Sequence, residues 1–281
     1  MFYDKYFSLN NEDAKDFMDE FIKAKLHDGK LFKFIMFNDN SDLNKIKLET
    51  LFNKSVWFSY YKYLNDPNEF TVNYKLKKVV SKTGVNPKSI KLMMETMNQV
   101  YDVCCFTYEV NDNMWEIYSN KHNGFCMVID VIDTDRLFPI EYVNKKDIDC
   151  TKYIIDAYKE NHAKISSFEG KAIRRMAILP YVYKDKKYMD IDFTKEKELR
   201  IINSSFDEGD GQLGDRVYPN IKDIKEYRGM QLSLEKCKMN LYGICIGENC
   251  SPESKLAIIN FCNNYNIKLL TYEQLNAFNK L

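Results

Sequence analysis

The stretch "LYGICIGENCSPESKLAIINFCNNYNIKLLTY", residues 241–272, constrains the fold more than any other part of the chain. An apolar run reads as a strand. Ser251, Pro252 and Glu253 then carry the preferences of a helix cap, first position and first turn, and "IKLLTY" reads as a second strand. Strand, helix and strand joined by short links require a right-handed parallel crossover. The fold therefore needs a sheet with a parallel pair and a helix against one face.

The rest of the chain alternates in the same manner. In "NEDAKDFMDEFIKAKLH", Ala14, Phe17, Met18, Phe21 and Ile22 recur at helical spacing, so an amphipathic helix is expected to open the fold. "KLFKFIMF" predicts a strand, "DLNKIKLETLF" a short helix and "KSVWFS" a strand, before Pro67 ends regular structure in "YYKYLNDPNEF". After Pro87, Ile90, Met93, Met94, Met97 and Tyr101 line one side of a helix, a stripe that suits core packing. "DVCCFTYEV" predicts a strand. "MWEIYSNKHNGFCMVID" predicts a helix, a turn with Gly124 as its left-handed cap, and a strand.

"LFPIEYV" is one more strand candidate, and "TKYIIDAYKENHAKISSFEGKAIRRMAIL" reads as a single long helix. Its stripe runs Ile154, Tyr158, Ile165, Phe168, Ala172 and Met176, with His162 packed among them. "KEKELRIIN" predicts a strand, and the glycine-rich "FDEGDGQLGDRVYPN" a mobile loop. The expectation is one α+β domain over residues 1–281: an N-terminal helix within 1–30, then a core over 31–281 with a central mixed or split β-sheet flanked by helices.

Lys plus Arg equals Asp plus Glu, 41 each, so no net field draws the molecule to nucleic acid or to an anionic membrane. No run approaches the roughly 20 apolar residues of a membrane span, and the N-terminus lacks a signal peptide's apolar core, so a cytoplasmic location is expected. The eight cysteines show no C-x-x-C spacing and the three histidines are scattered, so no metal site is expected.

Three constellations could carry chemistry. In "KEKELR", strand alternation puts Glu196, Glu198 and Arg200 on one face and Leu199 and Ile201 on the other. Two neighbouring carboxylates suit a charge-stabilising site, because ionising one raises the pKa of the other; a solvated face with an Arg200 ion pair is the plainer reading. "LNDPNEF" displays Asn65 and Asp66 from a rigid turn, though such residues commonly only close their own turn. Trp115 and Tyr118 have the flat, polar-tipped rings that stack on a base, or that pack as core. No phosphate loop, G-x-G-x-x-G or G-x-S-x-G is present.

The order "LFKFIMF", "VWFSYYKYLNDPNEF", "VCCFTYEVNDNMWEIYSNKHNGFCMVID", "FTKEKELRII" and "YGICIGENCSPE", over about residues 31–260, resembles the bacterial family of unknown function numbered twenty-nine seventy-one. Ile35 stands where that family often has arginine, Leu64 where it has phenylalanine, and Leu199 where it has tryptophan. More distantly, the layout resembles the ADP-ribosyltransferase fold. That resemblance implies NAD as substrate and a macromolecular acceptor, in the setting of a toxin or phage-defence effector. It implies Glu198 as the catalytic glutamate and Glu196 as its paired glutamate. Lys33 and Phe34 would lie on the first strand of the NAD site and Ser59 on the second. Trp115 and Tyr118 would wall the site, with Asn65 and Asp66 at its rim and Arg200 among the cofactor-binding residues. Two alternatives stay open. One is a non-catalytic nucleotide-binding or protein-interaction module. The other is a carboxylate-dependent nuclease using Asp66, Glu69, Glu196 and Glu198 around a divalent ion.

Overall fold

In the computed structural model, residues 1–60, 64, 70–99, 101–160, 171–204 and 229–280 are described. A helix that the periodicity did not reveal, α1 (Phe2–Ser8), opens the chain ahead of the expected one, α2 (Asn11–Lys23). The Glu141 carboxylate accepts the Phe2 and Tyr3 N–H groups at 3.1 and 3.2 Å and so satisfies the first turn of α1. There follow β1 (Lys30–Met36), α3 (Ser41–Phe52), β2 (Ser55–Tyr60), α4 (Leu76–Thr83), α5 (Pro87–Gln99) and β3 (Tyr101–Thr107). Next come α6 (Asp112–Tyr118), β4 (Gly124–Val131), β5 (Leu137–Pro139) and β6 (Glu141–Val143).

"LFPIEYV" is thus two short strands, divided at Ile140. The long helix is also two, α7 (Thr151–Glu160) and α8 (Lys171–Val182), which pack on each other as one straight helix could not. Ile154, Tyr158 and Met176 are buried there as expected, while His162, Ile165 and Phe168 lie outside the described residues. After α8 come β7 (Tyr183–Asp185), β8 (Lys187–Tyr188), β9 (Ile191–Asp192), β10 (Glu198–Ser204) and β11 (Gly229–Ser233). The chain then forms β12 (Met239–Ile246), α9 (Pro252–Tyr265), β13 (Lys268–Leu270) and α10 (Tyr272–Ala277). The glycine-rich segment expected to be a mobile loop lies outside the described residues. Among the described residues, no helix is long and apolar enough to cross a membrane.

One mixed sheet runs β11-β2-β3-β1-β4-β12-β13, with β10 and β5 attached through β3. β12 and β13 are its parallel pair, as the Ser251-capped crossover requires, and the Ser251 side chain accepts from the Ser254 N–H. Strand alternation sorts the core into two faces. Phe125, Met127 and Ile129 of β4 join the cluster that holds Ile258 and Phe261 of α9, while Cys126 and Val128 join Trp115 of α6 and Leu275 of α10.

Gly124 is not the expected left-handed cap. Asn120, Lys121 and His122 carry the positive φ values of that turn, at 49°, 55° and 64°. Gly124 instead begins β4, where an added Cβ would stand 2.0 Å from the Ile35 carbonyl oxygen. It is glycine because two backbones meet there.

The sheet splits at β3. A strand has two edges, and β10 occupies one of them from Tyr101 to Thr107. On the other edge β2 pairs only at Asp102 and Val103, and β1 only at Thr107. Between those two points β1 and β2 diverge from β3, with α3 linking them in the chain. The β3 backbone facing the gap needs other partners.

Candidate active site

The Lys33 ammonium supplies one such partner: it donates to the Cys105 carbonyl at 2.8 Å. Around this contact lies a cavity of about 170 Å³. Lys33 and Phe34 of β1, Ser59 of β2, Tyr118 of α6, Glu196, and Glu198 and Arg200 of β10 all line it. Seven residues singled out in the sequence therefore converge at one place. Trp115 does not join them. Its ring is fully buried, stacked on His122 at 5.0 Å and 2° and edge-on to Phe34 at 5.0 Å, so it supports the wall from behind. Asn65, Asp66 and Glu69 lie outside the described residues, although Leu64 lines the cavity.

Glu196 is not on the strand. It ends a 3₁₀ turn over Phe193–Glu196, and Lys197, left-handed at φ 48°, redirects the chain into β10. The two carboxyl groups still meet because both reach Lys184, at 2.7 Å from Glu196 and 3.5 Å from Glu198. Nor is this a solvated face: Glu196 and Glu198 are 4% exposed and Arg200 is fully buried.

The sequence reading missed Lys184. It lies in "YVYKDKKYMD", where a lysine among charged neighbours reads as surface, since lysine is rarely fully buried unless paired. It is carried inward by β7, which pairs in parallel with β6, and its ammonium lies 4.5 Å from the centre of the Phe193 ring.

The surroundings set the two carboxyl groups apart. Burial drives Glu198 upward, but Arg200 and Lys184 outweigh it and hold the carboxyl well below its usual range. Arg200 grips it with Nε at 2.5 Å and a terminal nitrogen at 3.1 Å, and the Cys105 thiol also bonds to it. The other terminal nitrogen of Arg200 donates to the Tyr181 carbonyl at 3.0 Å, in the last turn of α8, where free carbonyls favour a cation. The Tyr142 hydroxyl accepts the Glu198 backbone N–H at 3.0 Å.

Glu196 has weaker support. Burial raises it to about 7; Glu198 adds to the rise, while Lys184 and the Tyr118 hydroxyl, which donates to it, oppose it. One carboxyl is thus held low while its neighbour is raised, the pattern of a charge stabiliser beside an acid–base group. Among the described residues, no group of three or more His, Cys, Asp or Glu is disposed to hold a metal ion.

A second cavity, of about 190 Å³, adjoins the first and shares Lys33, Phe34, Ser59 and Tyr118 with it. It lies under α3, between β1 and β2, where Leu43, Ile46, Val56, Trp57, Phe125 and Met127 make it largely apolar. Lys47 also lines it and donates to the Met36 carbonyl at 2.7 Å, while burial lowers its pKa to about 8.

No curated protein and no solved structure matches the chain. The sequence model of the family described as "Protein of unknown function (DUF2971)" matches residues 114–201. That span is narrower than the motifs of residues 31–260, but it runs from the Trp115 helix through Tyr118, Lys184, Glu196 and Glu198 to Arg200. Through this segment, which builds the charged wall of the cavity, the chain is similar to the DUF2971 family.

Proposed function

We propose that the protein is an NAD-dependent ADP-ribosyltransferase-like enzyme that modifies a macromolecule, in the setting of a bacterial toxin or phage-defence effector. The observation that carries this reading is the pair of buried carboxyl groups on one cavity wall, Glu198 gripped by Arg200 and held low, and Glu196 raised by burial where both meet Lys184. Breaking the nicotinamide–ribose bond leaves its electron pair on nicotinamide and an oxocarbenium-like centre on the ribose. A fixed carboxylate stabilises that centre by charge, the role given to Glu198. The acceptor then bonds to the ribose carbon and loses its proton, which Glu196 is suited to take when ionised. Lys33, on the split edge of the sheet, offers positive charge to a phosphate.

A non-catalytic nucleotide-binding module is the second reading, and one observation favours it. Arg200 already bonds to both Glu198 oxygens, and Lys184 lies near one of them, which is also how a purely structural carboxylate is held. Nicotinamide release separates the two. With the purified protein and millimolar NAD, the transferase reading expects a raised melting temperature together with free nicotinamide. A shift without nicotinamide would leave the module, and neither signal would end both readings.

A further inference from the structure

The second cavity contains a charge imbalance. Its lining includes two lysines, Lys33 and Lys47, and no aspartate or glutamate. Each ammonium has a backbone carbonyl as partner, Cys105 at 2.8 Å and Met36 at 2.7 Å, and neither forms an ion pair among the described residues. A carbonyl satisfies one of three donors on an ammonium and does not neutralise its charge. The lowered pKa of Lys47 has burial as its cause, with no opposing carboxylate. Everything else about the cavity is apolar or weakly polar, with Leu43, Ile46, Val56 and the Trp57 ring on its walls.

Size points the same way. At about 170 and 190 Å³, neither cavity alone reaches the roughly 300 Å³ at which small-molecule sites begin, whereas the two joined across Lys33, Phe34, Ser59 and Tyr118 do. We propose that the α3 cavity binds the base-and-phosphate half of an adenine nucleotide, with the base against Ile46 and Trp57 and the phosphates between Lys33 and Lys47. This rests on the NAD reading and extends it. The ribose–nicotinamide end would lie in the carboxylate cavity, and the adenylate half in its apolar neighbour. The two lysines supply the charge that a pyrophosphate lacks partners for in a chain without a phosphate-binding glycine loop.

The test is calorimetric titration of the whole chain with ADP and, separately, with inorganic pyrophosphate. ADP is expected to bind and pyrophosphate to bind at least about tenfold more weakly, since it cannot use the apolar walls. Lys47→Met, which keeps the stem but loses the charge, is expected to weaken ADP by about tenfold or more. Ile46→Trp, which fills the cavity, is expected to weaken ADP as strongly. The chain has two tryptophans, so Trp115→Phe leaves Trp57 as the single fluorescent reporter, and ADP is expected to perturb its emission.

Equal affinity for ADP and pyrophosphate would overturn the proposal, as would unchanged ADP affinity in both cavity variants. The parent reading fails separately. If ADP binds with this pattern but NAD is never cleaved, the nucleotide site stands and the transferase falls. If NAD is cleaved and neither variant changes its KM, the transferase stands and this site falls.

Discussion

Removing the charge of Glu198 leaves a fully buried Arg200 without its principal counter-ion. Glu198→Gln is therefore expected to destabilise the fold by about 3–5 kcal/mol, the usual consequence of breaking a buried pair from one side. Denaturant midpoints would check this, and a loss under about 1 kcal/mol would show that the pair matters little to stability. Glu196 behaves in the opposite sense. Its folded pKa lies above its ordinary value of 4.5, so its contribution to stability is fully present below about pH 4.5 and is lost as pH rises through about 7. Glu198 is held low, so its contribution is present above about 4.5 and lost as pH falls. Glu196→Gln, which cannot ionise, is expected to remove the loss of stability between about pH 4.5 and about pH 7. Midpoints of wild type and variant that changed in parallel with pH would contradict this assignment. Trp115→Ala is expected to cost about 3–5 kcal/mol because it empties a fully buried site behind Phe34, while nucleotide affinity changes little.

At the scale of elements, the approach of β1 and β4 depends on a missing side chain. Gly124→Ala would place a Cβ 2.0 Å from the Ile35 oxygen, and backbone on both sides cannot yield as a side-chain tip could. The variant is expected to lose about 1–3 kcal/mol, or not to fold, measured by thermal melting against wild type. Because β1 carries Lys33 and Phe34, a folded variant should also bind ADP more weakly.

This position also illustrates what the sequence could say. A glycine after a helix suggests a left-handed cap, but the turn was closed by Asn120, Lys121 and His122, and only the β1–β4 pairing explains Gly124. Local signals were sound where structure is local: the Ser251 cap and the β12–α9–β13 crossover follow from side-chain bonds and short links. They failed for the long helix, because a continuous apolar stripe looks the same whether it lies on one helix or on two that fold against each other.

For the whole molecule, the candidate site comes from pairings far apart in the chain. The residues themselves put Glu198 and Arg200 on one face and picked out the polar-tipped ring of Tyr118, and the resemblance to the ADP-ribosyltransferase fold brought in Lys33 and Ser59. Neither could give the split at β3 that brings them together, because β1, β2 and β10 reach β3 from across the sequence. Lys184 stayed hidden for the same reason: its burial depends on β6, on Phe193 and on two carboxylates that only the folded chain assembles.

The central claim, that Glu198 acts on a reacting centre and does not merely neutralise Arg200, is tested most directly by Glu198→Asp. Aspartate keeps the charge that Arg200 needs but draws the carboxylate back by one methylene, and misplacement on the order of 1 Å can cost about a hundredfold in rate. The measurement is the initial rate of nicotinamide release from NAD by wild type and variant, each confirmed folded by its melting curve. The prediction is measurable release by wild type and a loss of about a hundredfold in the variant, with ADP affinity retained. A variant rate within a few-fold of wild type would contradict it, as would no release by wild type at all.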